Sequence, residues 1–113
     1  MPMNTDYAAK EPQRAEIDAL EGPTVIEFGS PWCGWCRAAQ PLLAAAIADH
    51  PRVRHIKLAD ASGRGLGRSF GVKLWPTLVF LRDGKEAARL VRPAGKSEIQ
   101  QALAQIDGDR ART

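Results

Sequence analysis

Residues 24–36 read TVIEFGSPWCGWC, and this stretch decides the fold. Thr24 to Phe28 is a short apolar run rich in β-branched residues, which predicts a strand. A loop of a few residues follows, and Cys33 opens the best helical pattern in the chain. From Cys33 to about Asp49, the residues Ala39, Leu42, Leu43, Ala46 and Ile47 recur at helical spacing and form one apolar stripe. Pro41 lies inside this helix, where it removes a backbone donor and should kink the axis. His50-Pro51 ends it.

The same reading extends outward. Upstream, Arg14 to Glu21 is a short helical candidate stopped by Gly22-Pro23. Residues 1 to about 10 are polar and expected to be loose, with Tyr7 as their one candidate anchor. Downstream, Val53 to Ala59 is the next strand. Asp60 to Gly71 holds four glycines (Gly63, Gly65, Gly67 and Gly71) and predicts a loop with one helical turn over Leu66 to Phe70. Thr77 to Leu81 is an apolar strand. Asp83-Gly84 is a strong hairpin signal, so Glu86 to Val91 should return antiparallel. Ile99, Ala102, Leu103 and Ile106 mark a last amphipathic helix, with Ser97 and Gln100 as its capping box. Residues 108–113 are polar and expected to fray. Strands joined through helices imply parallel pairing, and the late hairpin adds antiparallel strands. The expectation is one α/β domain over residues 1–113, a three-layer sandwich with a central mixed sheet and helices on both faces.

Composition excludes several classes. At 113 residues and 44% hydrophobic content, one domain is long enough to bury a core without staples. Sixteen basic residues oppose thirteen acidic ones, so the chain is not a disordered polyelectrolyte. Eleven of the basic residues are Arg, scattered and without interleaved aromatics, which argues against a nucleic-acid partner. No run of about 20 apolar residues is present, so no membrane span is expected. The opening MPMNTDYAAKEPQ has no apolar segment of the secretory kind. A cytoplasmic location and a monomer are the expectation.

The two cysteines, Cys33 and Cys36, have the spacing of a redox pair. A thiolate, not a thiol, attacks disulfides, and a free thiol with a pKa of roughly 8.5 is mostly protonated at neutral pH. A helix N-terminus favours the anion through its unpaired N–H groups and its dipole. Cys33 would sit there as the exposed attacking sulfur. Cys36, one turn further on, would be the buried resolving sulfur that releases the substrate. Gly34 leaves the approach uncrowded. Trp32 and Trp35 would form an apolar rim for a partner chain. Glu27 stands in the middle of a strand expected to be buried on both faces, where a carboxylate is costly without a partner or a task.

The Trp32-Cys33-Gly34-Trp35-Cys36 motif, Pro41 five residues on and Trp75-Pro76-Thr77 forty residues later resemble the thioredoxin family over about residues 12–107. The resemblance implies that Pro76 is a cis-proline facing the redox pair, exposing the Trp75 backbone to pair with an extended substrate strand. It implies that Glu27, where the family usually has Asp, takes the proton from Cys36. Lys57 matches a family lysine near that acid. The Gly34-Trp35 pair, Trp75, and Arg92 at the place of a family glycine imply a bulkier and more basic docking face. The implied activity is reduction of protein disulfides, with an unidentified reductase as electron donor.

Rival readings are weaker. Thirteen residues separate Cys36 from His50, and four separate His50 from His55, which matches a zinc finger. Such a finger carries both His on the helix that follows its Cys pair. Here Pro51 intervenes, so no metal is expected and both His read as surface or loop residues. Gly95-Lys96-Ser97 lacks the phosphate-loop glycine five residues earlier, where Leu90 stands. No Gly-rich dinucleotide fingerprint occurs, so the thiol pair itself is the expected redox centre, without a cofactor. Two alternatives remain open here: a docking or assembly module with an idle Cys pair, and a disulfide oxidase or isomerase.

Overall fold

The structure is a computed structural model that describes residues 3–61 and 64–108. The expectations for residues 1–2, Gly63 and the tail beyond Gly108 lie outside the described residues. The elements are α1 (Arg14–Asp18), β1 (Pro23–Gly29), α2 (Gly34–Ala48), β2 (Arg54–Ala59), α3 (Leu66–Ser69), β3 (Thr77–Arg82), β4 (Lys85–Val91) and α4 (Lys96–Asp107). They build a sheet of order β2-β1-β3-β4. β1 pairs parallel with β2 and antiparallel with β3, and β4 is antiparallel to β3. This is the mixed sheet expected from one helical crossover followed by a hairpin.

Strand alternation separates two cores. Val25, Leu78 and Phe80 point to the face covered by α2 and α4, where they meet Leu43, Ile47, Ile99 and Leu103. Ile26, Phe28, Leu58, Val79 and Leu81 point to the other face and meet Ile17 and Leu66. Burying each such side chain is worth roughly 1.5–3 kcal/mol. Because β1 is central and covered on both faces, all of Thr24 to Gly29 is buried, Glu27 included.

The β3–β4 turn places both Asp83 (φ 52°) and Gly84 (φ 78°) in the left-handed region. That is the tight primed turn which Asp-Gly predicts. A side chain at Gly84 would also run into the Asp18 carbonyl.

Three local expectations change. The first helix stops at Asp18 rather than Glu21, and only Ile17 of its turn is buried. Helix α2 runs through Pro41 as one fifteen-residue element, as its apolar stripe predicts. Helix α4 begins at Lys96, so Glu98 rather than Gln100 closes its N-terminus: Glu98 Oε1 accepts the N–H groups of Ala94 and Gly95. The segment before α1 is tied down rather than loose over residues 3–8. Ala8 N–H donates to the Lys57 carbonyl, Asn4 bonds His55 at two points, and Met3 packs on the core. These contacts cover the open edge of β2, which would otherwise present unpaired backbone.

Candidate active site

The Cys33–Gly34–Trp35–Cys36 stretch bridges β1 and α2. Cys33 is the N-cap of α2, in extended conformation, and its Sγ accepts the Cys36 N–H at 3.1 Å. A sulfur so placed receives a helix donor that no backbone carbonyl can reach. Both cysteines are free thiols; Cys33 is half-buried and Cys36 is 1% exposed. Burial, with the hydrogen bond to the Cys33 sulfur second, pushes the Cys36 thiol up to about 12; the Ser30 backbone opposes the shift. Cys36 therefore holds its proton at neutral pH.

Gly29 makes the room for this sulfur. A Cβ there would stand 2.8 Å from Cys36 Sγ and 3.3 Å from Tyr7 Oη. An open cavity of about 140 Å³ leads to Cys36 past Tyr7, Gln40 and Lys57. Burial, and then the negative charge of Cys36, Glu27 and Cys33, holds the Tyr7 phenol well above its ordinary range.

Glu27 is 0% exposed, and both its oxygens are engaged. Oε1 lies 2.9 Å from His55 Nε2, and Oε2 accepts Gln40 Nε2 at 2.6 Å. The Gln40 amide also donates to the Cys36 carbonyl at 3.0 Å, which ties the acid to the second cysteine's own turn. Lys57 reaches this group through Gln40: its Nζ donates to Gln40 Oε1 at 2.9 Å and stands over the Tyr7 ring. His55, expected at the surface, is buried at the heart of this network. The reason is register: Val25 pairs with His55 and Glu27 with Lys57, and alternation turns all four side chains to the α2 face. His50 is elsewhere, bonded to Asp107 at 2.7 Å. Neither histidine approaches the cysteines as a metal set would require. Among the described residues no cluster of three or more His, Cys, Asp or Glu is arranged to hold a metal.

The third part of the site is the loop before β3. The Trp75–Pro76 peptide is cis. Trp75 Nε1 donates to Asp60 Oδ2 at 3.0 Å. Arg92, with φ at 51°, stacks its guanidinium 4.9 Å from the Trp35 ring centroid and donates through Nε to the Trp75 carbonyl at 2.8 Å. That carbonyl therefore already accepts one hydrogen bond within the chain. Among the described residues the large exposed hydrophobics are Trp32, Trp35, Leu74 and Val91. Trp32 and Trp35 flank Cys33, Leu74 precedes Trp75, and Val91 precedes Arg92, so the exposed apolar surface gathers at the motif end.

A cis-Pro loop, a mixed sheet and a Cys-x-x-Cys pair capping α2 now stand together. The Thioredoxin family model matches residues 5–105. The chain belongs to the thioredoxin family. Its fold superposes on thioredoxin 2 from Pseudomonas aeruginosa, in its reduced form, with a TM-score of 0.81. The two are 58% identical, covering 90% of this chain and 94% of that one. A thioredoxin of Chlamydia muridarum is 39% identical over 79 residues, which is 69% of this chain and 76% of the relative. Thioredoxin H-type 1 of tobacco, Nicotiana tabacum, is 37% identical over 79 residues, 70% of this chain; the match spans 62% of the tobacco protein's length.

Within this thioredoxin-family frame, the structure brings Cys36 and Glu27 together through Gln40, and Trp35, Trp75 and Arg92 together through the Arg92 side chain. Lys57 meets Glu27 only through the Gln40 amide. The sequence reading missed His55, Gln40, Asp60 and Asn4. A signal existed for His55: it alternates with Ile56 and Leu58 and so shares a strand face with Lys57. Gln40 sits one turn after Cys36 on the same helix face.

Proposed function

We propose that the chain is a thiol–disulfide oxidoreductase that reduces protein disulfides, with Cys33 attacking and Cys36 resolving. The supporting observation is the free Cys33 at the N-cap of α2, one turn before a buried Cys36. In the first step the Cys33 thiolate attacks one sulfur of the substrate disulfide. The substrate S–S bond breaks, the first substrate sulfur leaves as a thiolate and takes a proton from water, and a mixed disulfide forms. In the second step Cys36 gives its proton to Glu27 and attacks Cys33 Sγ. The Cys33–Cys36 bond forms, the mixed disulfide breaks, and the second substrate sulfur leaves as a thiolate. The pair loses two electrons and the substrate gains them. The Cys36 N–H stabilises negative charge on Cys33 as the attacking thiolate.

Because Cys36 holds its proton firmly, it needs a base before it can attack, and Glu27 is the buried carboxylate that faces it. Pro76, Trp75, Trp32, Gly34, Trp35 and Arg92 frame the docking face, and Lys57 supports Glu27 through Gln40. The dithiol is its own redox centre and needs no cofactor. No helix of the described residues is long and apolar enough to cross a membrane. We place the protein in the cytoplasm as a monomer, recharged by a separate reductase, where the thiol pool favours reduction.

The test is catalysed reduction of a model protein disulfide such as insulin by a dithiol. Acceleration over the uncatalysed rate supports the reading, and its absence overturns it. A reduction potential near about −270 mV fits a reductase; one near about −120 mV fits an oxidase instead.

A further inference from the structure

The mechanism above leaves His55 without a task, although its side chain is 0% exposed and bonded to a 0% exposed carboxylate. Its protonation is legible from its partners. The Asn4 backbone N–H donates to His55 Nδ1 at 2.9 Å. A ring nitrogen that accepts an N–H carries no proton of its own. A neutral imidazole has one proton, so it lies on Nε2 and points at Glu27 Oε1, 2.9 Å away. A doubly protonated ring would set two N–H groups against each other at Asn4.

Gln40 holds the other oxygen with equal definition. Its Oε1 accepts from Lys57 Nζ, so its Nε2 must face Glu27 Oε2. Each carboxylate oxygen thus has one fixed donor, one from β2 and one from α2. The groups facing the acid are Cys36 and Gln40 from α2, His55 and Lys57 from β2, and Tyr7 from the N-terminal segment. That segment fixes both β2 side chains: Asn4 sets the His55 tautomer, and the Thr5 carbonyl accepts Lys57 Nζ at 3.3 Å.

We infer that His55, in the Nε2–H tautomer set by Asn4, is a positioning residue that holds the Glu27 carboxylate for proton transfer from Cys36. The inference rests on the reading of Glu27 as the proton acceptor. His55 touches neither the substrate nor the cysteines; it acts through Glu27.

The test separates the two chemical steps. Reduced protein mixed with a chromophoric aryl disulfide releases one coloured thiolate as Cys33 attacks and a second as Cys36 resolves. At about pH 7, His55→Phe slows the second release about tenfold and leaves the first unchanged, a fraction of what a positioned acid or base supplies. His55→Gln, which keeps a donor near the Nε2 position, recovers most of the rate. Asn4→Pro removes the N–H that sets the tautomer and slows the second release in the same direction with the ring intact. In a Glu27→Gln background, His55→Phe adds no further loss. Nitrogen-15 shifts of the wild-type ring show the Nε2–H tautomer.

A wild-type second release in His55→Phe overturns the inference, as does equal slowing of both releases. An unchanged factor in the Glu27→Gln background, or an Nδ1–H ring, also overturns it. If His55→Phe does not fold, Asn4→Pro and the ring tautomer decide. Wild-type resolution in Glu27→Gln alone overturns the parent reading of Glu27, which the His55 variants by themselves do not.

Discussion

Gly29→Ala tests how Cys36 is seated. The new methyl would stand 2.8 Å from Cys36 Sγ, 3.6 Å from Cys36 Cβ and 3.3 Å from Tyr7 Oη. Nonbonded heavy atoms rest at roughly 3.5–4.0 Å, so the sulfur contact is about 0.8 Å too short. Neither side yields easily. Gly29 is the last residue of β1, paired with Ala59, and Cys36 lies in the first turn of α2. Overpacking of this kind costs about 1–3 kcal/mol. For a domain near 100 residues each kcal/mol lowers Tm by roughly 4–8 °C. The reduced protein should therefore melt between about 4 and 24 °C lower. The displaced sulfur should also slow the second thiolate release while the first, made by Cys33, keeps its rate. Thermal unfolding by circular dichroism and the two-phase release assay read both effects. A variant as stable as wild type that resolves at the wild-type rate would refute the seating of Cys36 against the Gly29 backbone.

Two further outcomes follow from the same site. In the folded protein burial raises the Cys36 thiol to about 12, whereas unfolding returns it to roughly 8.5. Stability from this group is complete below about pH 8.5 and is lost as pH rises toward 12, because the unfolded chain releases the proton first. Denaturant titrations of the reduced protein at about pH 7 and about pH 10 should show a steeper loss than in Cys36→Ala, and parallel slopes would contradict the burial. Arg92→Gly removes a left-handed arginine and frees the Trp75 carbonyl that its Nε occupies. With a net hydrogen bond worth about 1 kcal/mol, KM for an unfolded disulfide substrate should fall up to about fivefold with kcat unchanged; an unchanged or higher KM would show that the carbonyl is not a docking group.

The fold was legible because its signals are local. TVIEF, the Cys-x-x-Cys helix start and Asp83-Gly84 each specify their own backbone, and strand alternation assigns the two cores. The cysteines and the buried acid were legible for the same reason. The polar network behind the acid was not, because it depends on register between strands. His55 lies opposite Val25 only once β2 pairs with β1, and its spacing from the cysteines along the chain carries no information about that. Pro51 and the strand-like run place His55 on a strand after α2, but they say nothing of its burial. The N-terminal segment was misjudged because its polar residues bond the edge of β2 rather than water. The α4 cap lies two residues earlier than the Ser97–Gln100 pattern predicts because the helix starts at Lys96, which moves the third position from Gln100 to Glu98.

The central claim is that Cys33 attacks and Cys36 resolves. The most direct measurement is intact mass of single-cysteine variants after exposure to a protein disulfide. Cys36→Ser should accumulate a dithiol-sensitive mixed disulfide at Cys33, while Cys33→Ser, whose remaining thiol is 1% exposed, should form none. Adducts at Cys36 in Cys33→Ser, or none in Cys36→Ser, would contradict the account.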